Sequence, residues 1–417
     1  MSDLKKLQEA YDALKGSGLK LNIERGQPGD DNFDLSNGLL TIVDEHDVRT
    51  PSGFDIRNYP GGVKGLPEMR TIAAEILGIA PAETIVGNNA SLKLLSGVLT
   101  WALLKGLPDS NAPWVKSPSP KMIVAVPGYD RHFTMLHALG FQMEVVNMTG
   151  RGPDIETVAK LAAADPEIKG IVFVPTYSNP TGETVADEVV DRLVSMKTAA
   201  PDFTVFADDA YAVHHLTNSP RRPKNLLTAA RAAGNPHRVI LFGSTSKITF
   251  AGAGLGFLGA SESMIDYLAK LFGTQFIGPN KAEHYRHAKF LGNYPGGVAG
   301  LMQAHAALLK PKFDAADAIL SRELGGQGLA EWTTPEGGYF ISLTTARPIA
   351  ARVVELAKNA GLSVTPAGAT YPFGKDPGNS NIRIAPTRPP LPELEKAMEA
   401  LTLCIKLASA ELEAAGK

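Results

Sequence analysis

One lysine, Lys247, stands at the mouth of the segment "ILFGSTSKITFAGAGLGFLGAS" (240–261), which carries no charge from Ile248 to Ser261. A lysine amine attacks carbonyl groups only when deprotonated, so apolar surroundings or a nearby cation must lower its pKa. A solvated lysine at a strand end is the commoner arrangement. The uncharged flanks and the small hydroxyl residues Ser244 and Ser246 set a reactive amine on equal footing with it, and taken alone the segment leaves both readings open. In "FADDAY", Asp208 follows an apolar run, with Tyr211 three residues on. Such an aspartate can cap a helix or form a turn. It can also hold a protonated heteroaromatic nitrogen while the tyrosine donates to a ring oxygen. In "PTYSNPTG", Asn179 opens a turn where its amide could reach a ligand. In "TIVGNNASLKLLSGVL", the N–H groups of Asn89, Ala90 and Ser91 would form either a capped helix start or an anion site. In "NIRIAPT", Arg383 lies in an apolar strand with no acid beside it, so it needs a carboxylate or phosphate partner.

The elements that must position these groups alternate. "KMIVAVPGY" (121–129), "FQMEVVNM" (141–148), "GIVFVPTYSNPTG" (170–182), "FTVFADDAY" (203–211) and "RVILFGSTSK" (238–247) read as buried strands. "DIETVAKLAAA" from Asp154, "VADEVVDRLVSMKTAA" and "SMIDYLAKLF" read as helices. This order implies an α/β fold with a mostly parallel sheet sandwiched by helices. Tyr129, Asn179, Asp208 and Ser244 then cluster just past strand ends, where open α/β sheets bind ligands. After about Gly296 the texture changes. "EGGYFISLTT" and "SNIRIAPT" suggest strands of a second sheet, flanked by helices at 346–360 and 391–415. Three parts are expected: residues 1–50 as an N-terminal segment packing with the small domain, 51–295 as a large domain, and 296–417 as a small α+β domain.

The 417 residues are 44% hydrophobic and 20% charged, with a formal net charge of −2, which gives no case for nucleic acid or an anionic membrane. The single cysteine, Cys404, excludes an internal disulfide and a thiolate metal cluster and suits a reducing cytoplasm. No metal site is expected. "MSDLKKLQEAYDALKGSG" is a helix with Leu4, Leu7, Tyr11 and Leu14 on one face, not a signal peptide. The segment 291–309 lacks formal charge, yet Asn293, Pro295, Gly296 and His305 interrupt it, which excludes a membrane span.

Together and in order, "NYPGGVKGLPEMR", "GNNASLKLL", "VPGYDRHF", "SNPTG", "DDAY", "STSK", "PEGGYF" and "NIRIAP" resemble the fold-type I, pyridoxal-phosphate-dependent aminotransferases of class I/II. "ERGQP" and "STSKITFAGAG" look like the Ic subgroup of aspartate aminotransferases. The resemblance implies that Lys247 carries the cofactor and shuttles the substrate's α-proton. Asp208 would keep the pyridine nitrogen protonated. Tyr211 and Asn179 would bond the phenolic oxygen, and Tyr129 would stack on the ring. The phosphate would rest on Asn89, Ala90, Ser91 and Ser244, with Tyr59 reaching it from the neighbouring subunit of a homodimer. Arg383 would bind the substrate α-carboxylate, and Gly26 would close the site. One departure stands out. The family places a cation shortly after the lysine to neutralise the phosphate, but here that position falls at Leu255. Lys281, His284 and Arg286 are the candidates to supply that charge, with Arg286 or Lys281 the expected choice. Arg25 or Arg286 could meet a substrate side-chain carboxylate.

The implied activity is transfer of an amino group from an L-amino acid, aspartate above all, to a 2-oxo acid such as 2-oxoglutarate. A carbon–sulfur β-lyase would use the same cofactor. A MocR-type regulator would use the same fold without catalysis. The regulator is disfavoured, because the chain has about fifty residues before the first motif and is not basic.

Overall fold

The computed structural model describes residues 3–59 and 62–416. Its strands are β1 (Leu21–Asn22), β2 (Thr84–Val86), β3 (Lys121–Val126), β4 (Gln142–Asn147), β5 (Ile168–Phe173), β6 (Thr204–Asp208), β7 (Val239–Ser244), β8 (Gly256–Gly259), β9 (Ala330–Trp332), β10 (Ile341–Thr345), β11 (Leu362–Ser363) and β12 (Asn381–Ile384). Its α-helices are α1 (Asp3–Gly16), α2 (Asp30–Asp34), α3 (Pro67–Leu77), α4 (Ser91–Lys105), α5 (Asp130–Ala138), α6 (Ile155–Ala164) and α7 (Asp187–Ser195). They continue as α8 (Leu226–Ala232), α9 (Glu262–Phe272), α10 (Lys281–Asn293), α11 (Gly297–Leu324), α12 (Ala350–Asn359) and α13 (Leu391–Ala415).

A seven-stranded sheet in the order β2-β8-β7-β6-β5-β3-β4 forms the centre. The strands from β7 to β4 run parallel, and β8 runs antiparallel to both β7 and β2. Alternate residues of each strand feed opposite cores. Ile123, Ile171, Val205 and Leu241 pack on one face, and Val124, Val172, Phe206 and Phe242 on the other. Burial on both faces explains why these strands read as unbroken apolar runs. Because β3, β5, β6 and β7 are parallel, their carboxyl ends share one edge, and Tyr129, Asn179, Asp208 and Ser244 follow or terminate them there.

The C-terminal third holds an antiparallel sheet, β12-β10-β9, against α11, α12 and α13. Two expected elements are shorter than their sequence patterns. The strand expected over "EGGYFISLTT" begins only at Ile341, because the Gly337–Gly338 backbone is pressed against Tyr177. A side-chain carbon on Gly337 would lie 2.2 Å from the Tyr177 ring. The helix expected from residue 346 begins at Ala350, after Pro348. Helix α11 crosses the whole molecule. Val298, Leu301 and Met302 lie in the large-sheet core, while Leu309, Phe313 and Ile319 lie in the C-terminal core.

The N-terminal segment is stitched to the C-terminal region. β1 pairs in parallel with β11, and Tyr11 in α1 donates to the Leu356 carbonyl at 2.9 Å. Thr365 donates to the Glu24 carbonyl and Thr387 to that of Gln27, each at 2.7 Å. Among the described residues, no helix is long and apolar enough to cross a membrane. Leu401, fully buried in α13, fills the C-terminal core. Leu401→Ala should cost about 2–5 kcal/mol. Denaturant unfolding should show the loss in the transition reported by Trp332 on β9, with the transition reported by Trp114 shifted less.

Candidate active site

A cavity of about 410 Å³ opens at the shared strand edge and is lined by Gly26, Tyr129, Asn179, Asp208, Tyr211, Lys247 and Arg383. Seven residues spread over more than 350 positions of sequence thus converge on one space. Lys247 reaches it from the loop after β7, with its Nζ 5.2 Å from the centre of the Tyr211 ring. The ammonium makes no ion pair or hydrogen bond among the described residues. Although the side chain opens onto the cavity, protein surrounds it. Burial pushes its pKa down, and the Asp208 carboxylate opposes the shift without cancelling it. The Lys247 carbonyl is held by His214 Nε2 at 3.2 Å and by the Tyr339 hydroxyl at 3.4 Å. Burial lowers the His214 pKa to about 3, so that ring stays neutral behind the lysine.

Asp208 ends β6 with its Oδ2 2.9 Å from His132 Nε2. Its other oxygen, Oδ1, is buried and has no partner. An acceptor stripped of water without a donor is costly, so this oxygen awaits a donor from a ligand. Arg383 is 7% exposed and held on three sides. Its Nη1 donates to Asp130 Oδ1 at 3.0 Å and to Asn179 Oδ1 at 3.3 Å, its Nε donates to Thr365 Oγ1 at 3.2 Å, and the guanidinium lies 4.9 Å from the Phe340 ring centre. Tyr129 packs edge-on to His132, and burial raises its hydroxyl to about 12. Gly26 lies under Phe340, where a side-chain carbon would come within 2.3 Å of the ring.

Asn89, Ala90 and Ser91 at the start of α4, and Ser244 at the end of β7, are not among the residues that line this cavity. The N–H groups of Asn89 and Ala90 bond no described residue, and that of Ser91, at the helix start, has no intrahelical acceptor. Gly256 lets β8 approach this turn, since a side-chain carbon there would lie 2.5 Å from the Ala90 carbonyl carbon and 2.8 Å from Ser91 N. Ser244 Oγ accepts from Ser246 N at 3.0 Å and lies 2.6 Å from Ser246 Oγ. Leu255, where a cation would be expected, is buried and bonded through its backbone to Thr245. Of the substitutes considered, His284 is neutral, pushed down to about 4 by burial and bonded to the Gly87 carbonyl. Arg286 Nη1 donates to Glu283 Oε2 at 3.0 Å. Lys281 donates to the Asn58 carbonyl, one residue from the point where Asn280 N meets Asn88 Oδ1 at 2.9 Å. Tyr59 is 71% exposed and lies outside the cavity, and the following Pro60–Gly61 of "NYPGG" lie outside the described residues.

Sequence reasoning missed His132, Asp130, Arg131, His214 and Phe340. His132 lies within "VPGYDRHF", three residues after Tyr129, and this helical spacing was the one signal available.

A parallel sheet presenting a lysine, a half-satisfied aspartate and a buried arginine at its carboxyl edge is the architecture of fold-type I aminotransferases. The structure of the α-aminoadipate aminotransferase LysN from Thermus thermophilus, complexed with N-(5'-phosphopyridoxyl)-L-leucine, shares that fold. Its TM-score is 0.76 at 19% identity, over 99% of this chain and 96% of that one. The sequence profile of the family described as aspartate amino-transferase matches residues 1–417, and the chain belongs to that family. An aspartate aminotransferase from Corynebacterium glutamicum is 43% identical over 405 residues, covering 97% of this chain and 93% of that protein. A crystal structure of an aspartate transaminase from the same species superposes with a TM-score of 0.95 at 42% identity, over 98% and 96% of the two chains. A Mycolicibacterium smegmatis protein provisionally named an aminotransferase is 47% identical, covering 97% of this chain and 94% of that protein. The protein is therefore an aminotransferase, and its cofactor is pyridoxal phosphate. Neither the lyase nor the regulator alternative gains support.

Asp209, beside the site, is partly buried, and desolvation raises its carboxyl to about 7, with Asp208 adding to the shift. The unfolded chain releases this proton near pH 4, whereas the folded chain keeps it to about 7, so stability drains away between those values. Asp209→Asn mimics the protonated form. Its stability relative to wild type should climb by roughly 1.4 kcal/mol per pH unit from about 4 to about 7 and then level off. Thermal melts across that range check the slope.

Proposed function

We propose that the protein transfers the amino group of L-aspartate to a 2-oxo acid, 2-oxoglutarate foremost, by a ping-pong mechanism in one cavity. The observation that carries this reading is the pairing of a lysine held below its ordinary pKa with a buried aspartate oxygen that lacks a donor. The second of these fits a protonated pyridine nitrogen, and the Gly256-supported turn at Asn89–Ser91 fits a phosphate. When bound, pyridoxal phosphate supplies an aldehyde that takes up the amino group and a ring that accepts electrons from the α-carbon.

The protein's own groups do the rest. Asp208, oriented by His132, keeps the ring nitrogen protonated. Tyr211 and Asn179 would hold the phenolic oxygen, and Tyr129 would pack against the ring, since all three line the cavity. Asn89, Ala90, Ser91 and Ser244 hold the phosphate, and Lys281 supplies the positive charge that Leu255 cannot. Arg383 binds the substrate α-carboxylate, for which Asp130 must give way. Lys247 Nζ, whose pKa burial lowers, would act as the base that takes the proton from the substrate Cα and hands it on. Gly26 leaves room for the N-terminal segment to cover the substrate.

A homodimer belongs to this reading. Tyr59 and Ile277 are both exposed, a side-chain carbon on Gly278 would lie 3.6 Å from the Tyr59 carbonyl oxygen, and Tyr59 would reach the partner's phosphate. So do the three spans 1–50, 51–295 and 296–417, with α11 passing from the second core into the third. The reading also places the protein in the cytoplasm, which suits the single, buried Cys404.

The direct test is incubation with pyridoxal phosphate, aspartate and 2-oxoglutarate, following oxaloacetate and glutamate by chromatography. Both products should form in equal amounts, and Lys247→Ala should lower the rate at least about 100-fold. Oxaloacetate formed without the 2-oxo acid in large excess over the pyridoxal phosphate present, or an unaffected lysine variant, would overturn the proposal. Gly256→Ala should weaken cofactor retention about tenfold or more by pushing on the Ala90–Ser91 turn, read as the pyridoxal phosphate concentration for half-saturation.

A further inference from the structure

Three histidines from three separate elements hold the turn that carries Lys247. The carbonyls of Lys247 and Ile248 receive no backbone N–H among the described residues. Side chains serve them instead. His214, from the loop after β6, meets the Lys247 carbonyl, and His305, from α11, meets the Ile248 carbonyl at 2.9 Å. His287, from α10, lies 2.9 Å from Thr249 Oγ1. Beyond these contacts His214 Nδ1 has no partner, and His287 Nδ1 turns back to Glu283 of its own helix. His305 instead leads onward, with Nδ1 3.0 Å from Asn32 Nδ2 in α2.

The chemistry of these groups fixes the direction of every bond. A carbonyl only accepts, so His305 carries its proton on Nε2. Nδ1 is then an acceptor, and the Asn32 amide N–H satisfies it. Asn32 Oδ1 accepts in turn from Gly29 N at 3.2 Å, whereas the flipped amide would set its own donor against that N–H. Asn32 and His305 are both buried, so no solvent stands in for a lost bond. The path begins three residues after Gly26, which lines the cavity, and ends on the residue that follows Lys247.

We propose that His305 is a positioning residue through which the seating of the N-terminal segment sets the main chain at the reacting lysine. Lys247 is held in register for the cofactor while Gly29 and Asn32 are in place, and slackens when they leave. The assignment rests on the reading of Lys247 as the reacting amine.

Neutron diffraction from wild-type crystals should find the His305 proton on Nε2 and none on Nδ1, and the opposite placement would break the path. Hydrogen–deuterium exchange of the holoenzyme reads the coupling without substrate. In Asn32→Leu, exchange should quicken about tenfold over residues 245–252 as well as over 26–34. Its kcat with aspartate should fall about tenfold with KM little changed. His305→Asn, too short to reach Ile248, should match that loss, while His305→Gln, whose amide nitrogen stands in for Nε2, should recover most of it. Faster exchange confined to 26–34, or equal losses in the two His305 variants, would overturn the assignment. An active Lys247→Ala enzyme would remove the lysine reading instead and leave the exchange result standing.

Discussion

The site depends on keeping one ammonium group in protein surroundings without a counter-ion. Water would restore the Lys247 pKa to its ordinary range, and a bonded carboxylate would raise it further. The fold avoids both outcomes. An aromatic ring lies against the amine, two neighbouring groups grip the lysine carbonyl rather than its side chain, and the one nearby carboxylate is partly engaged by His132. The parallel sheet makes this possible, because lysine and aspartate leave adjacent strands at the same edge, in register over Asp208 and Phe242.

Much of this was legible in sequence for a physical reason. Strands β3, β5, β6 and β7 are covered on both faces, so their residues form apolar runs that end abruptly where chemistry begins. Lys247, Asp208, Asn179 and Tyr129 could be placed from those endings alone. Other parts leave no such trace. β1 and β11 are two residues long, too short for any periodicity, and β8 lies hidden in a glycine-rich stretch. Helix α11 shows a continuous pattern that gives no sign of passing between two cores. His132 and Arg131 are ordinary helix residues by pattern, and only the fan of side chains at the start of α5 distinguishes them.

Charge in the cavity follows a consistent logic. Among the described residues, the one buried guanidinium of the cavity is fixed by an acid and an amide, with Asp130 and Asn179 accepting from Arg383. Asp208 Oδ1, buried without a partner, belongs to a residue that lines the cavity. Behind the cavity wall, Asp209 Oδ1, His214 Nδ1 and Thr176 Oγ1 are also buried without partners.

The stitching of the N-terminal segment has a mechanical consequence. Glu24 and Gln27 are bonded to Thr365 and Thr387, and β1 to β11, so Gly26 is anchored to the same body that carries Arg383 on β12. Lys247 and Asp208 ride on the other body. Any rocking between the two would therefore move Gly26 and Arg383 together as a single jaw, against an anvil that carries Lys247 and Asp208.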